Sequence, residues 1–403
     1  MRILYLTPYV PSLIRVRPYQ LIRHLAELGH QVTLICLAAR GEEPAALDQL
    51  RCWCAEVVVV PTSARWALAS ALLALPGELP LQAAYGASPE LTAQARRRAD
   101  RHDVVHVEHL RGSSYGAALR GYPRVLDAVD CISLLFEQAL RQGPTLASRA
   151  RALLDLARTR AAEGRYGDDF PQVIVTSAHD EWALRQLQAP GHPNPQIAVI
   201  PNGVDLEAFS AGPAAMRAPA TLVFTGKLSY HANVAAALWL GRTIMPLIWR
   251  ARTDARCLIV GRDPPPAVRA LAADPRLVVT GAVPEVAPYL RQATLALVPL
   301  RYGVGIQNKV LEALATATPV VATPPAARAL AVQPGRELCL ADTPARFAAA
   351  VLELLEAPDR RAALGAAGRA YVERNHDWRR SAERLTECYA RANELQAERE
   401  IVC

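Results

Sequence analysis

The chain has 403 residues, more than one ordinary hydrophobic core accommodates and enough for about two domains. Apolar residues make up 51% and charged residues 21%, as in a globular protein. The net charge of +7 comes from scattered basic side chains, without the aromatic interleaving or reader motif that nucleic-acid binding needs, which excludes that partner class. No run approaches the roughly 18–20 apolar residues of a bilayer span; the longest candidate, Trp66 to Gly77, is bounded by Arg65 and Glu78.

Short apolar runs alternate with helical patterns, the signature of parallel sheets covered by helices on both faces. The first run, Ile3–Thr7, begins almost at once, so no signal peptide is expected. Cysteines such as Cys36, Cys131 and Cys257 lie in apolar runs with no CxxC pair, which suits buried thiols in a reducing cytoplasm. Leu21, Leu25 and Leu28 then repeat on one helical face, and Gly29 ends that helix. Further strands are predicted at Gln31–Leu37, Val57–Pro61, Val104–Val107, Val125–Leu126, Val173–Thr176 and Ile197–Ile200, with Cys52 and Cys54 in a strand lead-in. Between Val125–Leu126 and Val173–Thr176, Ala147 to Tyr166 is a basic amphipathic stretch. Leu153, Leu154, Ala157 and Ala161 lie toward one side, and Arg149, Arg151, Arg158, Arg160 and Arg165 crowd the rest. It reads either as a helix resting on anionic lipid headgroups at the inner membrane surface or as a covering helix with a solvated face.

The segment Pro201 to Asp205, with the Gly212-Pro213 turn, is the natural joint to a second series of strands. These fall at Leu222–Thr225, Cys257–Val260, Leu277–Thr280, Leu295–Pro299, Val320–Ala322 and Leu338–Leu340, with helical patterns such as Val234–Ile248 and Val286–Ala293 between them. Helices follow at Phe347–Leu355, Arg360–Asn375 and His376–Glu398. The expectation is α/β: two Rossmann-like domains, 1–200 and 201–375, facing each other across a cleft, and a C-terminal helix, 376–403, returning to the first domain.

Ligands of open parallel sheets bind beyond the carboxyl ends of the strands, so motifs belong in the loops there. The most informative one runs from Arg301 to Thr323. It opens with Gly303 and Gly305, passes Ile306 and becomes helical near Asn308. Glycine lets a ligand approach the backbone, and the free amides of a helix N-terminus favour anions. Lys309 adds a cation in the first turn, and Glu312 shares a face with Asn308. Ribose hydroxyls would satisfy the Glu312 carboxylate; alternatively it pairs with Lys309 on an exposed face. A second glycine turn, Phe224 to Val234, carries Gly226 and Lys227. Lys227 and Lys309 are the only lysines among 45 basic residues, and both fall in loops of this kind. Where arginine has replaced lysine elsewhere, their placement points to a need for a compact ammonium.

On these motifs the chain resembles, over nearly its full length, the retaining glycosyltransferases of family 4, which have the GT-B fold. The resemblance implies that Lys227 contacts the pyrophosphate of a nucleotide-sugar donor. The family's second basic residue would be at Ala232, so Lys309 is expected to supply that charge. Of the family's two glutamates eight residues apart, Glu312 matches the ribose-binding one and Val304 stands at the other. The loop Thr280 to Leu290 resembles the one that holds the base near Val283; it also reads as an ordinary strand-to-helix turn. On the acceptor side, Pro11 and Ser12 replace loop glycines, and Arg15 or Arg17 either reaches the cleft or solvates the helix start. Asp103 to Gly112 resembles the strand that ends in His-x-His, with Glu108 at the second position and His109 next to it; one of them faces the reaction, or the histidine is structural. Asp130, at another strand end, is a further catalytic candidate. No Asp-x-Asp pair precedes a suitable loop, so no metal and no cofactor are expected. The implied partners are the nucleotide-sugar and a glycan or lipid-linked acceptor. Two competing readings are a nucleotide-sugar epimerase on the same fold and a GT-B protein that binds without catalysis.

Overall fold

The computed structural model describes the chain except residues 40–43, 143–145, 214–215 and 403, and the side chains of residues 44–45, 142, 146–148, 151 and 399–402. It divides into two compact units. The first comprises Met1–Leu140, Ala147–Pro201 and Trp378–Cys403, and the second is built on Asn202–Asp377.

The first unit holds a seven-stranded sheet of β1 (Arg2–Thr7), β2 (Gln31–Ala39), β3 (Glu56–Thr62), β4 (Val104–Glu108), β5 (Arg124–Val129), β6 (Gln172–Val175) and β7 (Gln196–Val199). Its order is β3-β2-β1-β4-β5-β6-β7, parallel throughout. The order reverses between β1 and β4. The second unit has β8 (Thr221–Thr225), β9 (Arg256–Val260), β10 (Leu277–Gly281), β11 (Leu295–Val298), β12 (Val320–Ala322) and β13 (Cys339–Leu340) in the order β10-β9-β8-β11-β12-β13, also parallel. Here the reversal falls between β8 and β11. Strands buried on both faces need continuous apolar runs, and the central ones have them: Ile3, Leu4, Tyr5 and Leu6 in β1, Leu222, Val223 and Phe224 in β8.

All thirteen predicted strands form. The largest difference is β5, which extends over Arg124–Val129 although Asp127 interrupts its apolar run. The interruption is tolerated because Arg17 pairs with that carboxylate inside the protein. Cys52 lies in the helix Pro44–Trp53 and not in a strand lead-in. The predicted helix Val234–Ile248 is His231–Trp239 and Met245–Trp249 joined by a π-helical turn, Leu240–Ile244. Pro246, which has no N–H to give, lies just beyond that turn.

The last helix, Trp378–Val402, starts two residues later than its sequence pattern suggests. His376 stays outside it, its ring between the carbonyl of Asn202 (2.7 Å) and the Tyr371 hydroxyl (3.0 Å). Trp378, Ala382, Leu385, Tyr389 and Ala392 then follow at heptad-like spacing and enter the same core as Ile3, Tyr5 and Leu21. The chain's C-terminal helix is thereby part of the first unit.

Candidate active site

Each sheet collects its polar side chains beyond its point of reversal. In the second unit Gly226 and Lys227 follow β8, and the loop to the helix Asn308–Ala315 follows β11. The two loops meet. The Lys309 ammonium donates to Asn233 Oδ1 (2.8 Å) and to Gln307 Oε1 (3.4 Å), while Asn233 Nδ2 donates to the carbonyl of Lys227 (2.9 Å). Gly226 is required where it stands: a β-carbon there would come within 2.8 Å of Asn233 Nδ2 and 3.2 Å of Lys309 Cε. Asn308 Oδ1 accepts from Asn202 (3.2 Å). Gly305 takes φ 64, the left-handed region that glycine enters without strain, and thereby turns the loop into the helix.

Lys309 and Glu312 keep part of their surface in solvent while lying deep among protein atoms. Burial lowers the Lys309 ammonium to about 8, against the opposing pull of Glu312, and raises the Glu312 carboxyl to about 7, against the pull of Lys309. Among the described residues nothing donates a hydrogen bond to the Glu312 carboxylate. The geometry therefore offers an exposed lysine, a half-desolvated lysine on neutral acceptors, a glycine turn and an open carboxylate within two adjoining loops. Together they suit a diphosphate with a hydroxyl-bearing group beside it.

Val283 is half-buried in the turn after β10, packed on the second unit's core, and Ile306 is buried. Next to that turn Asp263, Arg269, Thr280 and Gly281 line a hollow of about 480 Å3. A larger one, about 580 Å3, lies beyond β11 to β13 between Trp239, Arg301, Thr323 and Asp342. Neither is lined by Lys309 or Glu312, so the side-chain constellation and not cavity size locates the site.

In the first unit the carboxyl ends of β1 and β4 carry Tyr9, Arg15, Glu108 and His109. Glu108, read from the sequence as a catalytic candidate, is 1% exposed, and its oxygens accept from Tyr5 (3.2 Å) and Tyr9 (3.3 Å). Burial lifts it to about 7. It holds Tyr9 rather than opening onto solvent. Arg17, read as an acceptor contact, is also buried; it gives Nε to Asp127 (2.7 Å) and Nη1 to the carbonyl of Ile200 (3.0 Å). That ion pair joins the first helix to β5 and is structural. Arg15 does stand at the loop, its guanidinium 4.2 Å from the centre of the Tyr9 ring.

His109 has φ 65 and Val129 φ 67, left-handed conformations outside glycine at the ends of β4 and β5. His109 Nδ1 accepts from the Arg111 amide (3.2 Å), which leaves Nε2 as the proton-bearing nitrogen of the neutral ring. Burial, with Arg111 and Arg15 nearby, lowers its pKa to about 3, so the ring is neutral near pH 7. Asp130 accepts from Thr176 (3.2 Å) and is raised by burial and by the neighbouring Asp180. It lies one strand beyond β4, away from the point of reversal.

His106, Glu108 and Asp127 bring ligand-type atoms within 4.8 Å of one another. Most of their groups are already committed: Tyr389 meets His106 Nδ1 (2.9 Å), two tyrosines hold Glu108, and the Arg17 guanidinium supplies positive charge to Asp127, while His106 Nε2 has no hydrogen-bond partner among the described residues and stands 3.6 Å from Glu108 Oε2. The cluster reads as a charge-balanced core beneath the site.

Several residues at the site were not singled out from the sequence. Tyr9, Asn233 and Gln307 hold the named ones in place, and His231 stacks on Tyr302 with Nδ1 2.6 Å from its hydroxyl. Tyr9 had a usable signal, lying two residues beyond a predicted strand end.

Two parallel Rossmann-like sheets in separate units, each with polar groups at its point of reversal, and a C-terminal helix in the first unit have the architecture of the GT-B fold. Comparison with known proteins agrees. Residues 15–208 match the family described as Glycosyltransferase Family 4, and residues 219–357 match Glycosyl transferases group 1. Between them the matches take in most of the chain, and it belongs to the family 4 glycosyltransferases. A GDP-mannose-dependent monoacylated alpha-(1-6)-phosphatidylinositol monomannoside mannosyltransferase of Corynebacterium glutamicum is 28% identical over 244 residues, 53% of this chain and 61% of the relative. The match thus spans less than two-thirds of that relative's length. Among solved structures, a sucrose-phosphate synthase from Thermosynechococcus elongatus superposes with a TM-score of 0.71 at 17% identity, covering 97% of this chain and 99% of that one. Anabaena HepE in complex with UDP-glucose superposes at 0.62 with 15% identity over 100% of both chains. At those identities the structural likeness speaks for the fold.

Proposed function

We propose that the protein transfers a hexosyl group from a nucleoside diphosphate sugar to a glycan or lipid-linked acceptor, with retention of configuration and without an obligatory metal, in building cell-surface polysaccharide. The observation that supports the donor half is the bridge from the Lys309 ammonium through Asn233 to the carbonyl of Lys227, which joins the two loops that carry the chain's lysines. Bound diphosphate would take the Lys309 ammonium from its neutral acceptors, and Glu312 would accept ribose hydroxyls. As the bond from the sugar C1 to the phosphate oxygen breaks, the two lysines neutralise the charge that develops on the leaving group. The acceptor oxygen bonds C1 on the same face, and its proton passes to the departing phosphate. His109 Nε2–H serves as a neutral hydrogen-bond donor, and the protein contributes mainly by positioning.

The relative that takes GDP-mannose and a lipid acceptor, and HepE with UDP-glucose, make GDP-mannose and UDP-glucose the first donors to try. Leu13 and Ile14, exposed on the loop after β1, suit an acceptor with an apolar portion. The test is incubation of the protein with each donor and a lipid-linked glycan primer, with the product read by mass and anomeric NMR. An α-linked product from an α-linked donor is expected; a β-linked product would overturn retention, and activity abolished by a chelator would overturn metal independence.

A second reading, binding without turnover, draws on Val304 where the family has its other glutamate and on Ala232. Under it the nucleotide still binds but no donor is consumed in the same incubation. Free epimerised nucleotide-sugar, with no glycoside, would assign the epimerase instead.

A further inference from the structure

The helix Ala64–Leu73 in the first unit is inside out. At about 100° per residue, Trp66, Leu68, Leu72 and Leu73 share one side with Arg65 and Ala69, while Ala67, Ser70, Ala71 and Ala74 occupy the other. The small residues face the protein: Ala67 is buried and Ser70 and Ala71 are half-buried, whereas Trp66 is 55% and Leu73 80% exposed. Such a helix leaves its large apolar side chains in water, the reverse of a covering helix. The surface continues. Leu75 and Leu79 are exposed on the segment that follows, and Arg158 of the helix Leu146–Gly164 ties that segment down by donating to the carbonyls of Gly77 and Leu75. On that second helix Leu153 and Leu154 are exposed beside Arg158, with Leu153 71% accessible.

The charges around this apolar surface are predominantly basic, although Arg160 is paired with Glu137 at 2.8 Å. From Ser63 to Gly77 the chain contains Arg65 and no acid. The helix Leu146–Gly164 contains four arginines, and its two acids are turned inward: Asp155 accepts from the Leu81 amide, and Glu163 from the amides of Ile132 and Ser133. Glu78 is taken by Arg165 at 2.9 Å. A second copy of the same face would bring arginines against arginines, since an isologous contact is self-complementary only when its charges are. An anionic bilayer supplies both an apolar interior and the opposite charge. No helix of the described residues is long and apolar enough to cross a membrane, so the contact is peripheral.

We infer that this face, the helix Ala64–Leu73 with the following segment and Leu153–Leu154, seats the protein on the surface of an anionic lipid bilayer, Trp66 and its neighbouring leucines entering the headgroup boundary. The inference deepens the reading of a lipid-linked acceptor. Its test uses neither donor nor acceptor, so the two fail separately.

The full chain is mixed with phosphatidylcholine vesicles, alone or with about one-third phosphatidylglycerol, and floated on a density gradient. The wild-type protein should float with the anionic vesicles and much less with the zwitterionic ones. Trp66→Ser combined with Leu73→Ser should lower partitioning by roughly tenfold or more while nucleotide binding and the thermal midpoint stay as in wild type. Arg65→Glu with Arg149→Glu should abolish the preference for anionic vesicles. Wild-type protein that does not float, or a Trp66/Leu73 variant that floats as well as wild type, overturns the inference. A wild-type dimer in sedimentation that the same variant converts to monomer would assign the face to a second copy instead.

Discussion

Lys309 is the most consequential single side chain in this account, and its titration can be predicted with its sign. Its ammonium rests on Asn233 and Gln307, both neutral, and burial has lowered it to about 8. A bound diphosphate favours the charged form, so the pKa in the complex lies above that of the free protein. The Lys309 contribution to affinity is then level below about pH 8 and falls by up to about tenfold per unit above it, until the pKa of the complex is reached. Replacing the side chain removes charge-assisted hydrogen bonds of roughly 2–3 kcal/mol, so Lys309→Ala should weaken nucleoside diphosphate binding about 30- to 150-fold at pH 7 and leave little pH dependence between 7 and 9. Lys309→Arg keeps the charge and should also lose the pH dependence, because a guanidinium stays protonated throughout. Calorimetry of the three proteins at pH 7, 8 and 9 reads all of this. A wild-type affinity unchanged from pH 7 to 9, or an alanine variant within about threefold of wild type at pH 7, would show that Lys309 does not meet the phosphates.

Further expectations concern the packing around the site. Gly226→Ala must displace Asn233 and Lys309, so nucleotide affinity should fall about tenfold or more while the thermal midpoint moves only a few degrees; unchanged affinity would place the ligand elsewhere. Asp127→Asn leaves the buried Arg17 guanidinium without its counter-charge and should cost about 3–5 kcal/mol in denaturant unfolding, far more than any surface ion-pair deletion. Tyr9→Phe removes one hydroxyl from Glu108 but keeps the ring under Arg15, so stability should drop by about 1 kcal/mol while nucleotide affinity holds. Glu108 is raised to about 7 by burial, so the folded state binds more protons than the unfolded one from about pH 4.5 to 7. Its contribution to stability is therefore lost as pH rises through that window, and Glu108→Gln should flatten the decline of the thermal midpoint there.

The fold was largely legible because parallel strands buried on both faces show as continuous apolar runs, and Gly29 marks the first crossover plainly. The donor loops were legible for a different reason: in an arginine-rich chain two lysines stand out, and both follow strand ends. What could not be read were pairings over long separations. Asp127 in an apolar strand is explained only by Arg17, and His106 only by Tyr389 on the final helix. Without those partners Glu108 and Arg17 look like exposed functional groups, whereas each is spent inside the first unit. The inside-out helix is not legible in the sequence for a related reason: an apolar run does not say which of its sides meets the protein.

The most direct measurement is a calorimetric titration of the purified protein with UDP, GDP, ADP and dTDP, with Glu312→Ala in parallel. One nucleotide should bind clearly best, and the substitution should weaken it by about a hundredfold, the equivalent of about 3 kcal/mol for two hydrogen bonds to a carboxylate. If none of the four binds the wild-type protein, or if Glu312→Ala binds as well as wild type, the donor site is not where the two loops of the second unit meet.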